Sequence, residues 1–386
     1  MNIAVIAPTY LPARRANTIQ VMKMTQALAE TGHRTHLVVP EAVREPKPDW
    51  EELAHWYGLK QAFPVTWLPA HPRLRRYDFG WRAVQWARRW GADVIYTRLP
   101  QSAAAASGLG TKTIFEIHDM PKGTMGLFLL RLFLRGRGAY RLVLISQVLR
   151  DDLIERLANP ALDRSAIVAP DGVDLERYEN LPEPEESRRK LHQAGKLDLE
   201  PERFTAGYSG HLYSGRGKEL ILALAARLPG INFLIVGGES AEAGRLQADG
   251  QQLGLANLYV TGFVPNAELP LYQAACEALL MPYQRTVAAS SGGDISRYLS
   301  PMKMFEYLAC GRAILASDLP VLKEVLSPKT AVLLPPDDLD AWISALEKLR
   351  QEPDRRARFA NQARSAAQDY SWSRRVARIL GGLAGW

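Results

Sequence analysis

Three residues are placed to do chemistry: a carboxylate, an arginine and a histidine, Glu306, Arg216 and His118. Glu306 lies in Ser300-Pro-Met-Lys-Met-Phe-Glu-Tyr-Leu-Ala-Cys-Gly311, which reads as a helix stopped by its glycine. Ser300 suits the cap, accepting a bond from a free backbone N–H, and Pro301 suits the first helical position, where no N–H is needed. Met302, Phe305 and Leu308 recur at helical spacing and should face a core. Glu306 departs from that pattern, one turn beyond a helix start whose orphan N–H groups and dipole favour an anion. A carboxylate one turn behind a phosphate is well placed for the hydroxyls of a ribose. The plainer alternative is an ordinary capped helix with a solvated or paired glutamate.

Arg216 belongs to the loop Gly210-His-Leu-Tyr-Ser-Gly-Arg-Gly217, which follows an apolar run and precedes a helix opened by Lys218. Its glycines admit close backbone approach, and Arg216 and Lys218 supply charge, a combination suited to a diphosphate. The Walker pattern G-x-x-x-x-G-K-[ST] is not met. His118, with Asp119, closes the strand Thr113 to Ile117, at the end where open α/β sheets collect ligands. A lone histidine there is more often a satisfied polar residue than a catalyst.

The elements that must position these side chains follow from size and alternation. A chain of 386 residues accommodates two domains, and 47% apolar with 23% charged residues is the composition of a folded soluble protein. No apolar run reaches the roughly eighteen residues of a membrane span, and the N-terminus is too short and lacks the basic leader of a signal peptide. Cys276 and Cys310 offer no disulfide or zinc framework, so a cytoplasmic location is expected. The net charge is +7, but 15 Lys and Arg stand against 4 Asp and Glu between Lys60 and Arg150. The N-terminal half should therefore present a basic face. No interleaved stacking motif accompanies it, which argues against nucleic acid.

Two successions of short apolar runs and helical patterns predict an α/β protein of two Rossmann-like, doubly wound domains facing a central cleft. The expected boundaries are 1–180, a charged Pro-rich linker at 181–202, 203–365, and a terminal helix at 366–386 crossing back to the first domain. Residues 41–60 read as a surface excursion. The first turn lacks G-x-G-x-x-G, which argues against a nicotinamide dehydrogenase. Leu127 to Leu134 is strongly apolar and flanked by Lys122, Arg131, Arg135, Arg137 and Arg141. It suits either a core helix or one lying on an anionic bilayer, and peripheral association with the inner face of a membrane is expected.

Six motifs in order, V-L-I-S-Q-V-L-R-D-D-L (143–153), A-P-D-G-V-D-L-E-R-Y (169–178), S-G-H-L-Y-S-G-R-G (209–217), F-L-I-V-G-G (233–238), V-T-G-F-V (260–264) and F-E-Y-L-A-C-G (305–311), together resemble the family 4 glycosyltransferases of the GT-B fold. The resemblance covers nearly the whole chain. It implies retaining transfer from a nucleotide-diphosphate sugar, UDP- or GDP-linked, to a hydroxyl of a glycan, glycolipid or lipid-linked acceptor, with no protein nucleophile. Arg216, at the family's lysine position, would hold the diphosphate and Glu306, the second acid of its E-x7-E motif, the ribose. Phe263 and Val264 would bracket the base, and His118 would sit at the donor sugar. Gly210, His211, Lys218 and Gly238 complete the donor side.

Three departures follow. Tyr298 replaces the first acid of E-x7-E, leaving Lys303 or the backbone of Leu299, Ser300, Pro301 and Met302 to take over. Asp171 replaces an Asn, read here as a turn residue serving equally. Arg14, Arg15 and Asn17 replace a glycine-rich loop; with Arg98 they would meet an anionic acceptor such as a lipid phosphate, the plainer alternative being that the arginines are merely exposed. No metal or other cofactor is expected, since Asp338-Leu-Asp340 reads as a helix cap. The competing readings are a GT-B sugar-nucleotide epimerase and an inactive nucleotide-sugar-binding protein.

Overall fold

The computed structural model describes all of the chain except residues 42–46, 75, 159–161, 290–291 and 384–386. The chain forms two compact units, Met1–Asp171 with Trp372–Trp386, and Gly172–Ser371.

In the first unit, β1 (Asn2–Ile6), β2 (Arg34–Pro40), β3 (Val65–Leu68), β4 (Val94–Thr97), β5 (Lys112–Ile117), β6 (Ala139–Leu144) and β7 (Ala166–Val168) form a parallel sheet of order β3-β2-β1-β4-β5-β6-β7. In the second, β8 (Thr205–Ser209), β9 (Asn232–Val236), β10 (Leu258–Gly262), β11 (Ala278–Met281), β12 (Ala313–Ser317) and β13 (Val332–Leu334) form another, of order β10-β9-β8-β11-β12-β13. Parallel strands need crossover helices, which cover both faces, so the central strands read as unbroken apolar runs. Ile3 to Ile6 and Leu142 to Leu144 are buried throughout. Each sheet reverses its winding once, between β1 and β4 and between β8 and β11.

Three features differ from the expected organisation. The segment taken for a linker contains the helix Pro184–Gln193, which belongs to the second unit. Its Arg188 is buried, donates to Ala275 O at 2.6 Å and pairs with Glu277 at 2.9 Å. A charged composition therefore concealed an element held by a buried ion pair, and the division falls at 171/172 rather than 180/181. Strand β13, three residues long, was not anticipated. The terminal element begins at Trp372 rather than 366: the helix Trp372–Leu380 joins the first unit, where Trp372, Val376, Ile379 and Leu380 are buried and the helix contacts Ala16–Glu30. Of the excursion expected at 41–60, residues 42–46 lie outside the described residues, and the remainder includes the helix Trp50–Tyr57.

Candidate functional site

In the second unit, functional side chains gather past the ends of β8 and β11, the point where the winding reverses and open α/β sheets take ligands. The loop after β8 passes close to its neighbours at two glycines. At Gly210, φ is +131° and a Cβ would lie 2.7 Å from Lys303 Nζ; at Gly217, φ is +86° and a Cβ would lie 2.0 Å from Pro282 O. Only glycine fits either position. Between them Arg216 is half-buried, and its Nη1 donates to the Tyr283 hydroxyl at 3.2 Å.

Lys303 occupies the first turn of the helix Met302–Cys310, and its Nζ lies 3.6 Å from the centroid of the Tyr208 ring and 5.7 Å from that of Tyr283. Its pKa is held well below the ordinary lysine value by burial and by the charge of Arg216, which Glu306 offsets in part. Among the described residues, Lys303 Nζ, Arg216 Nε and Ser300 Oγ are buried and have no hydrogen-bond partner. Glu306, one turn further along the same helix, is half-buried and accepts from Gln273 Nε2 at 3.2 Å. That amide is fixed in turn, donating to Ser209 Oγ at 3.1 Å while its oxygen accepts from Tyr178 at 3.0 Å. Two basic side chains close enough to repel when both are charged, with donors left over, form a cradle for a multiply charged oxyanion, whose charge would favour the protonated lysine.

The first unit carries a different cluster at the ends of β4, β5 and β7. Glu116, within β5, is 1% exposed, and His118 follows the strand, its Nε2 hydrogen-bonded to Glu116 Oε1. The same oxygen accepts from Gln20 Nε2 at 2.7 Å and lies 3.0 Å from Arg375 Nη2 of the terminal helix. Arg375 also lies 3.9 Å from Asp171 and donates from Nε to Pro170 O at 2.9 Å. Arg98 donates to Gln20 Oε1 at 3.0 Å. Burial raises the Glu116 pKa, but Arg375 and His118 outweigh it and hold the carboxyl below its ordinary value. Burial and Arg98 hold the His118 pKa down, and burial raises that of Asp171.

Ligand atoms of Glu116, His118 and Asp171 lie within 4.8 Å of one another, a spacing that suits a metal ion. The guanidinium of Arg375 already supplies the cation there, and with Arg98 it balances the two carboxylates, so a divalent ion would add uncompensated charge.

The structure brings Gly210, Arg216, Lys303 and Glu306 together in one unit, and His118 and Arg98 in the other. Lys218 opens the following helix, 4.0 Å from Glu219, and no contact among the described residues joins it to Arg216 or Lys303. The His211 ring stacks on Tyr213 at 4.8 Å. Gly238 follows β9 at φ +86°, and Phe263 and Val264 follow β10, both half-buried. Arg14 lies over the Trp56 ring at 5.3 Å, while Arg15 and Asn17 are exposed at the start of the helix Ala16–Glu30.

Three local expectations are corrected. Pro301, not Ser300, is the cap of Met302–Cys310, with ψ 129° and no side-chain bond. Ser300 is thus one position outside the cap, too far back to reach the first-turn N–H groups, and its hydroxyl is buried instead. Met302 is half-buried rather than a core residue. Tyr298 ends the 3₁₀ turn Ser296–Tyr298, and the side chain of Leu299 beside it is buried at 5% exposure, which leaves open the expected role of its backbone N–H. Asp171 is no plain turn residue, being 4% exposed beside Arg375. By contrast Asp338 does cap a helix, accepting from Ala341 N at 3.0 Å.

Sequence reasoning missed Glu116, Arg375 and the aromatic walls Tyr208 and Tyr283. Two signals were present: a glutamate inside an apolar parallel strand, and an arginine on the stripe Trp372, Val376, Ile379 of the terminal helix.

Residues 18–177 match the sequence family described as Glycosyltransferase Family 4, and residues 216–381 match the one described as Glycosyl transferase-like. The phosphatidyl-myo-inositol mannosyltransferase of Mycolicibacterium smegmatis is 25% identical, over 98% of this chain and 92% of its own length. The D-inositol 3-phosphate glycosyltransferase of Gordonia bronchialis is 29% identical, over 78% of this chain and 62% of its own. Among solved structures, the sucrose-phosphate synthase of Thermosynechococcus elongatus superposes with a TM-score of 0.74 at 18% identity, covering 100% of this chain and 98% of that one.

Proposed function

The chain belongs to the family 4 glycosyltransferases of the GT-B fold, and we propose that it transfers a sugar, with retention, from a nucleotide-diphosphate donor to a hydroxyl of a phosphate-bearing lipid or polyol. The observation that carries this reading is the pair of cations Arg216 and Lys303 with buried donors unpaired. A diphosphate satisfies both, and its charge grows as the glycosidic bond breaks, so these groups stabilise the departing nucleotide more than the bound donor. Glu306, steadied by Gln273, takes the ribose hydroxyls. Lys303 does what the acid replaced by Tyr298 would not: it adds positive charge next to the phosphates. The acceptor hydroxyl then enters on the face the leaving group vacates, held in place by orientation alone.

The acceptor assignment draws on the two relatives, whose names carry an inositol with a phosphate or phosphatidyl group. Arg14, Arg15, Asn17 and Arg98 of the first unit would meet that phosphate. A lipid acceptor requires a membrane surface, and the helix Gly123–Arg135 supports one. Its Met125, Phe128 and Leu132 are 54%, 53% and 39% exposed and fall on one stripe, flanked by exposed Lys122, Arg131, Arg135 and Arg137. No helix among the described residues is long and apolar enough to cross a membrane.

Thermal-shift measurements with UDP-, GDP- and ADP-sugars test the donor class: a ligand at a hundred times its dissociation constant stabilises by about 2.7 kcal/mol. Stabilisation by at least one nucleotide sugar, lost in Arg216→Ala, is expected. Equal stabilisation of wild type and variant would remove the diphosphate assignment.

A further inference from the structure

Glu116, His118 and Arg375 form a chain of contacts from the terminal helix to the end of β5. Glu116 Oε1 accepts from Gln20 and lies 3.0 Å from the Arg375 guanidinium, which keeps the carboxylate ionised. An ionised carboxylate only accepts hydrogen bonds, so its contact with His118 requires a proton on Nε2. Four elements around the ring contribute charge, and the helix Ala16–Glu30 adds the neutral amide of Gln20. Glu116 comes from β5, Arg98 follows β4, Asp171 follows β7, and Arg375 comes from the terminal helix. Asp119, with its partner Lys122 at 3.1 Å, adjoins the histidine in sequence. Arg98 and burial oppose a second proton on the ring, leaving Nδ1 bare.

We infer that Arg375 is a positioning residue for His118, fixing the imidazole through Glu116 in the Nε2–H tautomer with Nδ1 as its open acceptor. A segment more than two hundred residues downstream of the strand, and beyond the whole nucleotide unit, thereby sets the protonation of the group assigned to the donor sugar. The inference rests on the transferase reading only for its kinetic consequence, since the ring's state is measurable without turnover. Arg375 is buried at 4% on an otherwise apolar stripe, a position that packing alone would give to an aliphatic residue.

The test is nitrogen NMR of the full chain labelled at histidine, with the His118→Gln variant identifying the resonance. In the wild type the ring should titrate below the ordinary histidine value, and in its neutral form carry its proton on Nε2. In Arg375→Met the carboxylate loses its cation and attracts the ring's second proton, so His118 should titrate about one unit or more higher, a tenfold change in protonation. Arg375→Lys should return the titration towards the wild type. Should Arg375→Met not fold, Glu116→Gln carries the same test: its neutral amide either donates or accepts, so both tautomers should appear. With a donor sugar found to turn over, kcat should fall roughly a hundredfold in both variants. The donor KM should hold, because the nucleotide is bound by the other unit. Unchanged ring titration and tautomer in the folded variants overturn the inference, even if transfer is intact. Absence of transfer in the wild type instead strikes the proposed function and leaves the NMR result standing.

Discussion

The two charged clusters are built on opposite principles. In the first unit, Glu116 and Asp171 are opposed by Arg98 and Arg375, and the Arg375 guanidinium bonds to backbone carbonyls as well as to carboxylate. In the second, Arg216 and Lys303 face each other across aromatic walls, with Glu306 the nearest offsetting charge. A network whose opposite charges balance is a scaffold that fixes geometry, even with Glu116 Oε2 and Asp171 Oδ1 left without a hydrogen-bond partner. One left with surplus positive charge raises the energy of the empty protein and recovers it on meeting an anion.

The largest effect separating them should be on folding. Glu116→Ala leaves the buried Arg375 without its nearer carboxylate and should lower the unfolding free energy by about 3–5 kcal/mol, read by urea denaturation. Lys303→Met should do the reverse, keeping or raising stability while reducing kcat/KM by about 2.7–4 kcal/mol of transition-state stabilisation. A Lys303→Met variant that is both less stable and fully active would erase the contrast.

Their pH responses should differ as well. Lys303 has a folded pKa well below 10.5, so above that lowered value the unfolded chain binds more protons, and stability rises with pH up to about 10.5. Glu116 has a folded pKa below 4.5; its contribution is complete above 4.5 and is lost as pH falls through the lower folded value. Differences between wild-type and Lys303→Met or Glu116→Gln stability curves isolate the two slopes, and a slope of the wrong sign would refute the corresponding assignment. The smallest effect lies at the surface. Arg131→Ser with Arg135→Ser should weaken binding to phosphatidylserine vesicles by about 2 kcal/mol, at about 1 kcal/mol per charge, and only at low salt. Cosedimentation unaffected by the pair would remove the membrane face while leaving the nucleotide cluster intact.

Local pattern was a sufficient guide wherever a side chain acts through its own segment. Apolar runs identified twelve of the thirteen strands among the described residues. The glycines of 210–217 marked the anion loop, because a backbone that must pass within contact of its neighbours excludes a Cβ. Glu306 stood out because a carboxylate in an apolar helix has to be answered by something. The same logic misled at residues 181–202, where charge density suggested a linker and one buried ion pair made a packed helix.

The amino-acid order by itself determined two parallel α/β units, their strands, the loop that carries Arg216 and the helix that carries Glu306, since periodicity and backbone sterics act over a few residues. Only the tertiary structure decided that Lys303 stands against Arg216 between Tyr208 and Tyr283, and that Arg375 reaches Glu116. Those pairings depend on burial and on distances between segments far apart in the chain, and electrostatic energy is set by both.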